Sequence, residues 1–269
     1  MLRCKVTSEN SGLRASNDGG KRVSEANPLD RFVRPAFTMY RGDCMAVLNE
    51  IDTVDCVVTS PPYNLNKRAS GGGSSKMNYE GWYFDDMPER SYQGWQRMVV
   101  DALLQKCTGS VFYNHRIRYA WHNRNKYRVP SNVYHPMQWL QDFPLWAEII
   151  WDRRGTTGHA NGRPRLSDER IYQIGKPKVF HDMWYTTVWQ IPPTKNQGHV
   201  CSFPEELVRR CIEMTTNPGD TVFDPFTGIG TTGVVALKMG RKFIGAELDG
   251  EYFNLAKEGL LAAESDLAA

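Results

Sequence analysis

The sequence predicts an α/β protein built on a mostly parallel sheet covered by helices, and three observations carry that expectation. Residues 203–260 alternate helix and strand signals through short connections, and a βαβ crossover brings its two strands together in parallel. The run Val54-Asp55-Cys56-Val57-Val58 has the length and β-branching of a buried strand. Hydrophobic residues make up 41%, charged residues 23% and aromatic residues 12% of 269. Those proportions are globular and exclude a wholly disordered, collagenous or coiled-coil chain. The length suits one large domain or two small ones.

Taken in order, residues 1 to about 27 are rich in Ser, Asn, Gly and charge and read as a mobile tail. A short strand is predicted at Ala36–Tyr40, a helix at Cys44–Glu50 and a strand at Val54–Val58. The segment Thr59-Ser60-Pro61-Pro62-Tyr63-Asn64 follows, and its two prolines make it a rigid loop at a strand's carboxyl end. The cluster 69–75 of glycine and serine, flanked by Lys67, Arg68 and Lys76, predicts a flexible loop. A helix is expected over Ser91–Cys107, with strands at Ser110–Tyr113 and Trp146–Trp151. Trp139, Trp146 and Trp151 read as core residues. Arg153 to Arg165 forms a second basic, glycine-rich loop. Pro204, Glu205 and Glu206 suit the first turn of a helix ending near Thr215. Strand Thr221–Pro225, helix Thr231–Met239, strand Lys242–Leu248 and helix Glu251–Leu260 complete the chain.

No apolar run reaches the roughly 18 residues of a membrane span, and the start lacks a secretory apolar region. A cytoplasmic protein without membrane attachment is the expectation. Six cysteines stand singly without a CxxC pair, and no His, Asp or Glu spacing matches a ligand motif, so neither disulfides nor a metal is inferred. Net charge is +3 overall. It divides into 0 over residues 1–64, +8 over 65–200 and −5 over 201–269. All six histidines and most tryptophans and tyrosines also lie in the basic middle. A polyanionic partner held by that middle region is one reading, and ordinary solvated surface is the other.

Gly228-Ile229-Gly230-Thr231-Thr232-Gly233 matches GxGxxG between a predicted strand and a predicted helix, as a nucleotide-binding turn requires. Its glycines let a ligand approach the backbone, and the helix start offers free N–H groups. Glu247, at the end of the next strand, is placed to accept hydrogen bonds from ribose hydroxyls. Asp224, just before the turn, is placed to pair with a cation. S-adenosylmethionine carries both a ribose and an ammonium, so each carboxylate then has a task. A P-loop is excluded, because no Lys-Ser/Thr follows the glycines.

Ser60-Pro61-Pro62-Tyr63 fits a different problem. The exocyclic amino nitrogen of adenine or cytosine is a poor nucleophile, because its lone pair is delocalised into the ring. Two acceptors beside its N–H bonds draw that lone pair out of conjugation and aim it at a methyl donor. Ser60 Oγ and the Pro61 carbonyl can serve as those acceptors, Pro62 stiffens their geometry, and the Tyr63 ring can stack on an unstacked base.

Together the two motifs resemble the β group of DNA amino-methyltransferases, which make N4-methylcytosine or N6-methyladenine. The resemblance spans about Phe37 to Ala256. It lies in the permuted order: Thr59-Ser60-Pro61-Pro62-Tyr63-Asn64 first, a long variable region next, then Phe203-Pro204-Glu205-Glu206-Leu207, Asp224-Pro225-Phe226 with the glycine turn, and Phe243 to Asp249. It implies a Rossmann-like S-adenosylmethionine-dependent methyltransferase fold with helices on both faces and a target-recognition insertion. The implied organisation is a tail over 1–30 and one domain over 31–269, made of a catalytic-loop half (31–64), a recognition and DNA-binding region (65–198) and a cofactor half (199–269). By the same resemblance Asp224, Phe226, Gly228, Gly230, Thr231 and Thr232 cradle the methionine half of the cofactor, Glu247 binds the ribose, and Asp43, Ser202 and Phe203 touch it too. Double-stranded DNA is the implied partner, with Lys67, Arg68, Lys76, Arg153, Arg154, Arg163 and Arg165 as candidate phosphate contacts. A homodimer and a separate restriction endonuclease are further partners that relatives suggest.

The family's adenine enzymes often carry aspartate where Ser60 stands, so cytosine N4 is favoured and adenine N6 is the alternative. Cytosine C5 methylation needs a thiolate nucleophile, and the chain has no Pro-Cys step. Two other classes stay open from the sequence. An NAD-linked oxidoreductase would use the glycine turn and leave the proline loop idle, whereas a non-catalytic DNA-binding module would use the basic middle alone.

Overall fold

The structure, a computed structural model, describes residues 29–65, 87–124, 127–157, 164–194 and 203–268. Its elements in chain order are β1 (Asp30–Val33), β2 (Phe37–Arg41), α1 (Cys44–Glu50), β3 (Val54–Thr59), α2 (Glu89–Lys106), β4 (Cys107–His115), β5 (Arg118–Arg124), β6 (Tyr127–Tyr134), α3 (Met137–Leu140), β7 (Leu145–Thr157), β8 (Leu166–Ile174), β9 (Val188–Gln190), α4 (Glu205–Thr215), β10 (Thr221–Asp224), α5 (Thr231–Lys238), β11 (Lys242–Glu247) and α6 (Gly250–Ala268).

The central sheet runs β1-β2-β11-β10-β3-β4-β8-β7-β9, with β5 and β6 forming a separate hairpin. Strands β2, β11, β10, β3 and β4 are all parallel. β8 is antiparallel to both β4 and β7, and β1 is antiparallel to β2. β10 and β11, the last strands in sequence, insert between β2 and β3. The chain therefore leaves neighbouring strands β10 and β3 in opposite directions, through α5 to β11 and through α2 to β4. Such a switch point leaves a crevice at the strands' carboxyl ends, where open α/β sheets bind ligands.

Strand periodicity builds the two cores. Cys56 and Val58 of β3 and Phe112 of β4 face a cluster with Val208, Cys211 and Ile212 of α4, Val235 and Ala236 of α5 and Phe253 and Ala256 of α6. Val57, Val111 and Tyr113 face the opposite cluster with Val47 and Leu48 of α1, Val99, Val100 and Leu103 of α2 and Leu140 of α3. Sheet strands buried on both faces read as near-continuous apolar runs, as 54–58 does. The layer is tight at Gly233 of α5: a Cβ there would stand 2.5 Å from Phe243 Cδ1 and 2.6 Å from Leu260 Cδ2. Overpacking of this kind costs about 1–3 kcal/mol. Gly233→Ala is expected to lower the thermal midpoint by several degrees in a calorimetric scan.

The expected α/β architecture is the observed one, and several details differ. Asp30, last residue of the expected tail, pairs with Arg41 in β1. Trp139 and Trp151 are core at 0% and 4% exposure, but Trp146 is 55% exposed. A register shift between Leu145 and Ala147 takes Trp146 out of the buried alternation. The second basic segment is not simply a loop. β7 and β8 continue as a ribbon to the Thr157–Leu166 pair, so Arg153 and Arg154 stand on β7, at an irregularity where Arg154 adopts φ 54°. Its amide donates to Asp152 Oδ1 at 2.9 Å.

Candidate active site

Both loops singled out in the sequence meet at the switch point. β3 pairs with β10 through Cys56–Val222 and Phe223–Val57, which brings Thr59 beside Asp224. The Thr59 hydroxyl donates to Asp224 Oδ1 at 2.7 Å, and the Phe226 amide donates to the same oxygen at 3.1 Å. Thr232, first turn of α5, donates to the Val58 carbonyl at 3.5 Å, a second tie between the two loops.

The glycine turn depends on left-handed backbone. Gly228 has φ 55° and Gly230, the residue before α5, has φ 90°. An added Cβ on Gly230 would lie 3.1 Å from Ala256, whereas one on Gly228 would meet nothing within 4 Å. The turn is thus packed behind and open in front. Across it, Glu247 accepts the Gly228 amide at 2.7 Å and the Asp249 amide at 2.9 Å. Burial pushes the Asp224 carboxyl up to about 6 and the Glu247 carboxyl up to about 7. Among the described residues neither carboxylate is in an ion pair. Two buried acids without a counter-ion, beside an open glycine turn, fit a ligand that carries hydroxyl donors and a positive charge.

The proline loop is clamped from α2 and β4. The Pro62 carbonyl accepts the Tyr92 hydroxyl at 2.7 Å and Gln96 Nε2 at 3.3 Å. Among the described residues no donor occupies the Pro61 carbonyl. Asn64 turns the chain away at φ 54°, a left-handed conformation that asparagine tolerates, and its amide donates to the Met87 carbonyl at 2.8 Å. The half-buried Tyr63 ring lies 4.8 Å from the His115 ring. His115 is buried with Trp139 and Tyr92 around it, and desolvation lowers its pKa to about 3. It serves there as a neutral aromatic support. Ser60 Oγ and the Tyr63 hydroxyl are 2.7 Å apart, and Tyr63 also donates to Asn114 Oδ1 and, at 3.2 Å, to Glu169 Oε2.

Of the other candidates, Phe226 packs with Trp95 of α2 edge-on at 5.8 Å. Thr231 opens α5. Asp43 stands at the same end of the sheet, exposed, with its carboxylate capping α1 through the Met45 amide at 2.9 Å. Phe203 packs against the α4 side of the sheet. Arg154 and Arg165 are exposed at the carboxyl end of the parallel strands, the end that carries the proline loop. Arg153 is committed elsewhere: its guanidinium pairs with Glu169 at 2.9 Å. Lys67, Arg68, Lys76, Arg163 and Ser202 lie outside the described residues.

Sequence reasoning missed Tyr92, Gln96, Asn114, His115 and Glu169. Asn114 and His115 stand where an apolar strand turns polar, a signal that was present in the sequence. Glu169 had none, since only the antiparallel pairing of β8 with β4 and β7 brings it to the loop. Among the described residues, no cluster of three or more His, Cys, Asp or Glu is placed to hold a metal, and no helix is long and apolar enough to cross a membrane.

The fold is an α/β sheet with a crevice at its switch point, where the two loops meet. Residues 54–258 match the N6/N4 DNA methylase family, and the chain belongs to that family. Among curated relatives, the type II methyltransferase M.BglII of Bacillus subtilis is 27% identical over 265 residues, covering 85% of this chain and 69% of the relative. The DNA adenine methyltransferase YhdJ of Escherichia coli K12 is 25% identical over 244 residues, covering 84% and 83%. The solved PvuII DNA methyltransferase, described as cytosine-N4-specific, superposes with a TM-score of 0.64 at 19% identity, covering 86% of this chain and 92% of that one. A DNA modification methylase of Thermus thermophilus, complexed with S-adenosyl-L-methionine, has a TM-score of 0.61 at 21% identity, covering 84% and 93%. These structures share the fold. Family membership favours methyl transfer over the oxidoreductase and the non-catalytic module.

Proposed function

We propose that the protein transfers a methyl group from S-adenosylmethionine to the exocyclic amino group of a base flipped out of double-stranded DNA, with cytosine N4 as the target. The observation that carries this reading is the 2.7 Å hydrogen bond from Thr59 to Asp224, which fixes the amino-activating loop against the nucleotide turn. When bound, the cofactor supplies an electrophilic methyl group on a sulfonium. Glu247 holds the ribose hydroxyls, Asp224 faces the cationic methionine end, and the glycine turn admits the chain between them. Ser60 Oγ and the Pro61 carbonyl accept hydrogen bonds from the two amino N–H groups, turning the nitrogen lone pair towards the methyl carbon. The N–C bond forms as the S–C bond breaks with its electron pair left on sulfur, and the methylated nitrogen then releases one proton to solvent. The Tyr63 ring, backed by His115, stacks on the base.

Cytosine is favoured by the serine of the Ser-Pro-Pro-Tyr loop and by the likeness to a cytosine-N4-specific fold relative. Adenine N6 is the second reading, favoured by the likeness to the DNA adenine methyltransferase YhdJ. Arg154 and Arg165, exposed at the end of the sheet that carries the proline loop, suit phosphate contact. The type II name of M.BglII suggests a place in a restriction-modification pair. Sequencing plasmid DNA from expressing cells, by a method that separates N4-methylcytosine from N6-methyladenine, gives base and site together. Modification at N4 of cytosine supports the reading, and unmodified DNA contradicts it.

Because the two cofactor carboxyls are raised by burial, cofactor affinity depends on pH. Hydroxyl donors and a cation bind the ionised forms, so affinity rises with pH through 6 to 7 and levels above 7. Between the ordinary carboxylate range and about 7 the empty folded protein binds more protons than the unfolded chain, so these groups make it less stable as pH rises. The cofactor-induced rise in melting temperature is therefore expected to be larger at pH 8 than at pH 5.5. Titration calorimetry together with melting curves at the two pH values checks both statements.

A further inference from the structure

We infer that Asn114 and Glu169 are positioning residues that set the direction of the hydrogen bonds through Tyr63, so that Ser60 meets the substrate amino group only as an acceptor. The inference rests on the methyl-transfer reading above and assigns work to two residues which that reading leaves unused.

It follows from counting protons. Asn114 Nδ2 donates to the Arg170 carbonyl at 3.0 Å, which fixes the side-chain amide with Oδ1 towards Tyr63 and 3.4 Å from Ser60 Oγ. Glu169 is paired with Arg153 through Oε1 at 2.9 Å and turns Oε2 to the Tyr63 hydroxyl at 3.2 Å. Its side chain is 8% exposed, and Arg153 lies over the Trp151 ring at 5.3 Å, so the pair is a built part of the interior. An amide oxygen and an arginine-paired carboxylate are acceptors only. The Tyr63 hydroxyl, with one proton, faces both and is their donor. Towards Ser60, 2.7 Å away, Tyr63 has only lone pairs left, so the serine proton points to Tyr63 or to Asn114 Oδ1, which accepts it at 3.4 Å. Both lone pairs of Ser60 Oγ then remain for a substrate N–H. Without the two acceptors Tyr63 could donate to Ser60 instead, and the serine proton would meet the amino hydrogens head-on.

The tyrosine hydroxyl therefore has a task separate from ring stacking, and Glu169 acts through it. A double-mutant cycle on the single-turnover rate of methyl transfer, from tritiated S-adenosylmethionine to unmethylated genomic DNA, tests this. Tyr63→Phe keeps the ring and is expected to slow transfer by about tenfold or more, the size of one hydrogen bond, with cofactor affinity unchanged. Glu169→Gln is expected to slow it by about tenfold in the wild-type background and to add nothing in the Tyr63→Phe background. Equal slowing by Glu169→Gln in both backgrounds overturns the inference, as does a Tyr63→Phe enzyme at wild-type rate. Melting curves accompany each variant, and Asn114→Ala is carried through the same cycle should Glu169→Gln fail to fold. Wild-type protein that labels no DNA contradicts the methyl-transfer reading itself, whereas active wild type with an additive cycle contradicts only this inference.

Discussion

Ser60→Ala is expected to lower the rate of methyl transfer to DNA on the order of 10²–10³-fold while leaving cofactor affinity within about twofold. The magnitude is that of removing one preorganised hydrogen-bond group aimed at charge that develops in the transition state. In the ground state the amino nitrogen is nearly planar and binds almost as well without Ser60. Only as the lone pair leaves the ring does the acceptor opposite its N–H bond matter, so the loss falls on turnover and not on affinity. The substitution is a gentle one structurally, because Ser60 is half-buried and its neighbours Tyr63 and Asn114 keep each other as partners. Single-turnover rates at saturating cofactor and DNA measure it. A variant that loses affinity for the cofactor but keeps its rate places Ser60 outside the chemistry.

Glu247→Ala is expected to weaken S-adenosylmethionine binding on the order of 10²–10³-fold. Hydrogen bonds to a charged partner contribute about 1.5–3 kcal/mol each, and a ribose offers two. The carboxylate also holds the Gly228 amide at 2.7 Å and the Asp249 amide at 2.9 Å, so its loss loosens the glycine turn as well. Glu247→Gln separates the two contributions: it keeps the shape and one acceptor, and is expected to lose about tenfold. Equilibrium binding of labelled cofactor measures both, and wild-type affinity in Glu247→Ala would remove the acid from the cofactor site.

The two loops were legible in the sequence because each is local. Proline stiffness, glycine freedom and the β-branched run before Thr59 are properties of a few adjacent residues. That both loops lie at one crevice needs more than the parallel sheet that the βαβ unit predicted: it follows from the direct pairing of β10 with β3. The residues that support them were not legible. Tyr92 and Gln96 look like any polar positions on an amphipathic helix, yet they hold the Pro62 carbonyl. Glu169 reaches Tyr63 only because β8 runs antiparallel beside β4, with Arg170 opposite His115. The pairing of β7 with β8, which sets Trp151 opposite Glu169, drew Arg153 away from the phosphate contact its basic neighbourhood suggested and into an ion pair with Glu169. Charge in a sequence marks surface only when no buried opposite charge is brought near, and that is decided by strand order.

Identification of the labelled nucleoside tests the central claim most directly. Purified protein is incubated with tritiated S-adenosylmethionine and unmethylated duplex DNA, and the DNA is digested and separated by chromatography. Tritium is expected to co-elute with N4-methyldeoxycytidine, and its initial rate of incorporation to fall on the order of 10²–10³-fold with Ser60→Ala protein. Tritium at N6-methyldeoxyadenosine would keep the amino chemistry and overturn the base. DNA that carries no label, or label at C5 of cytosine, would contradict the account as a whole.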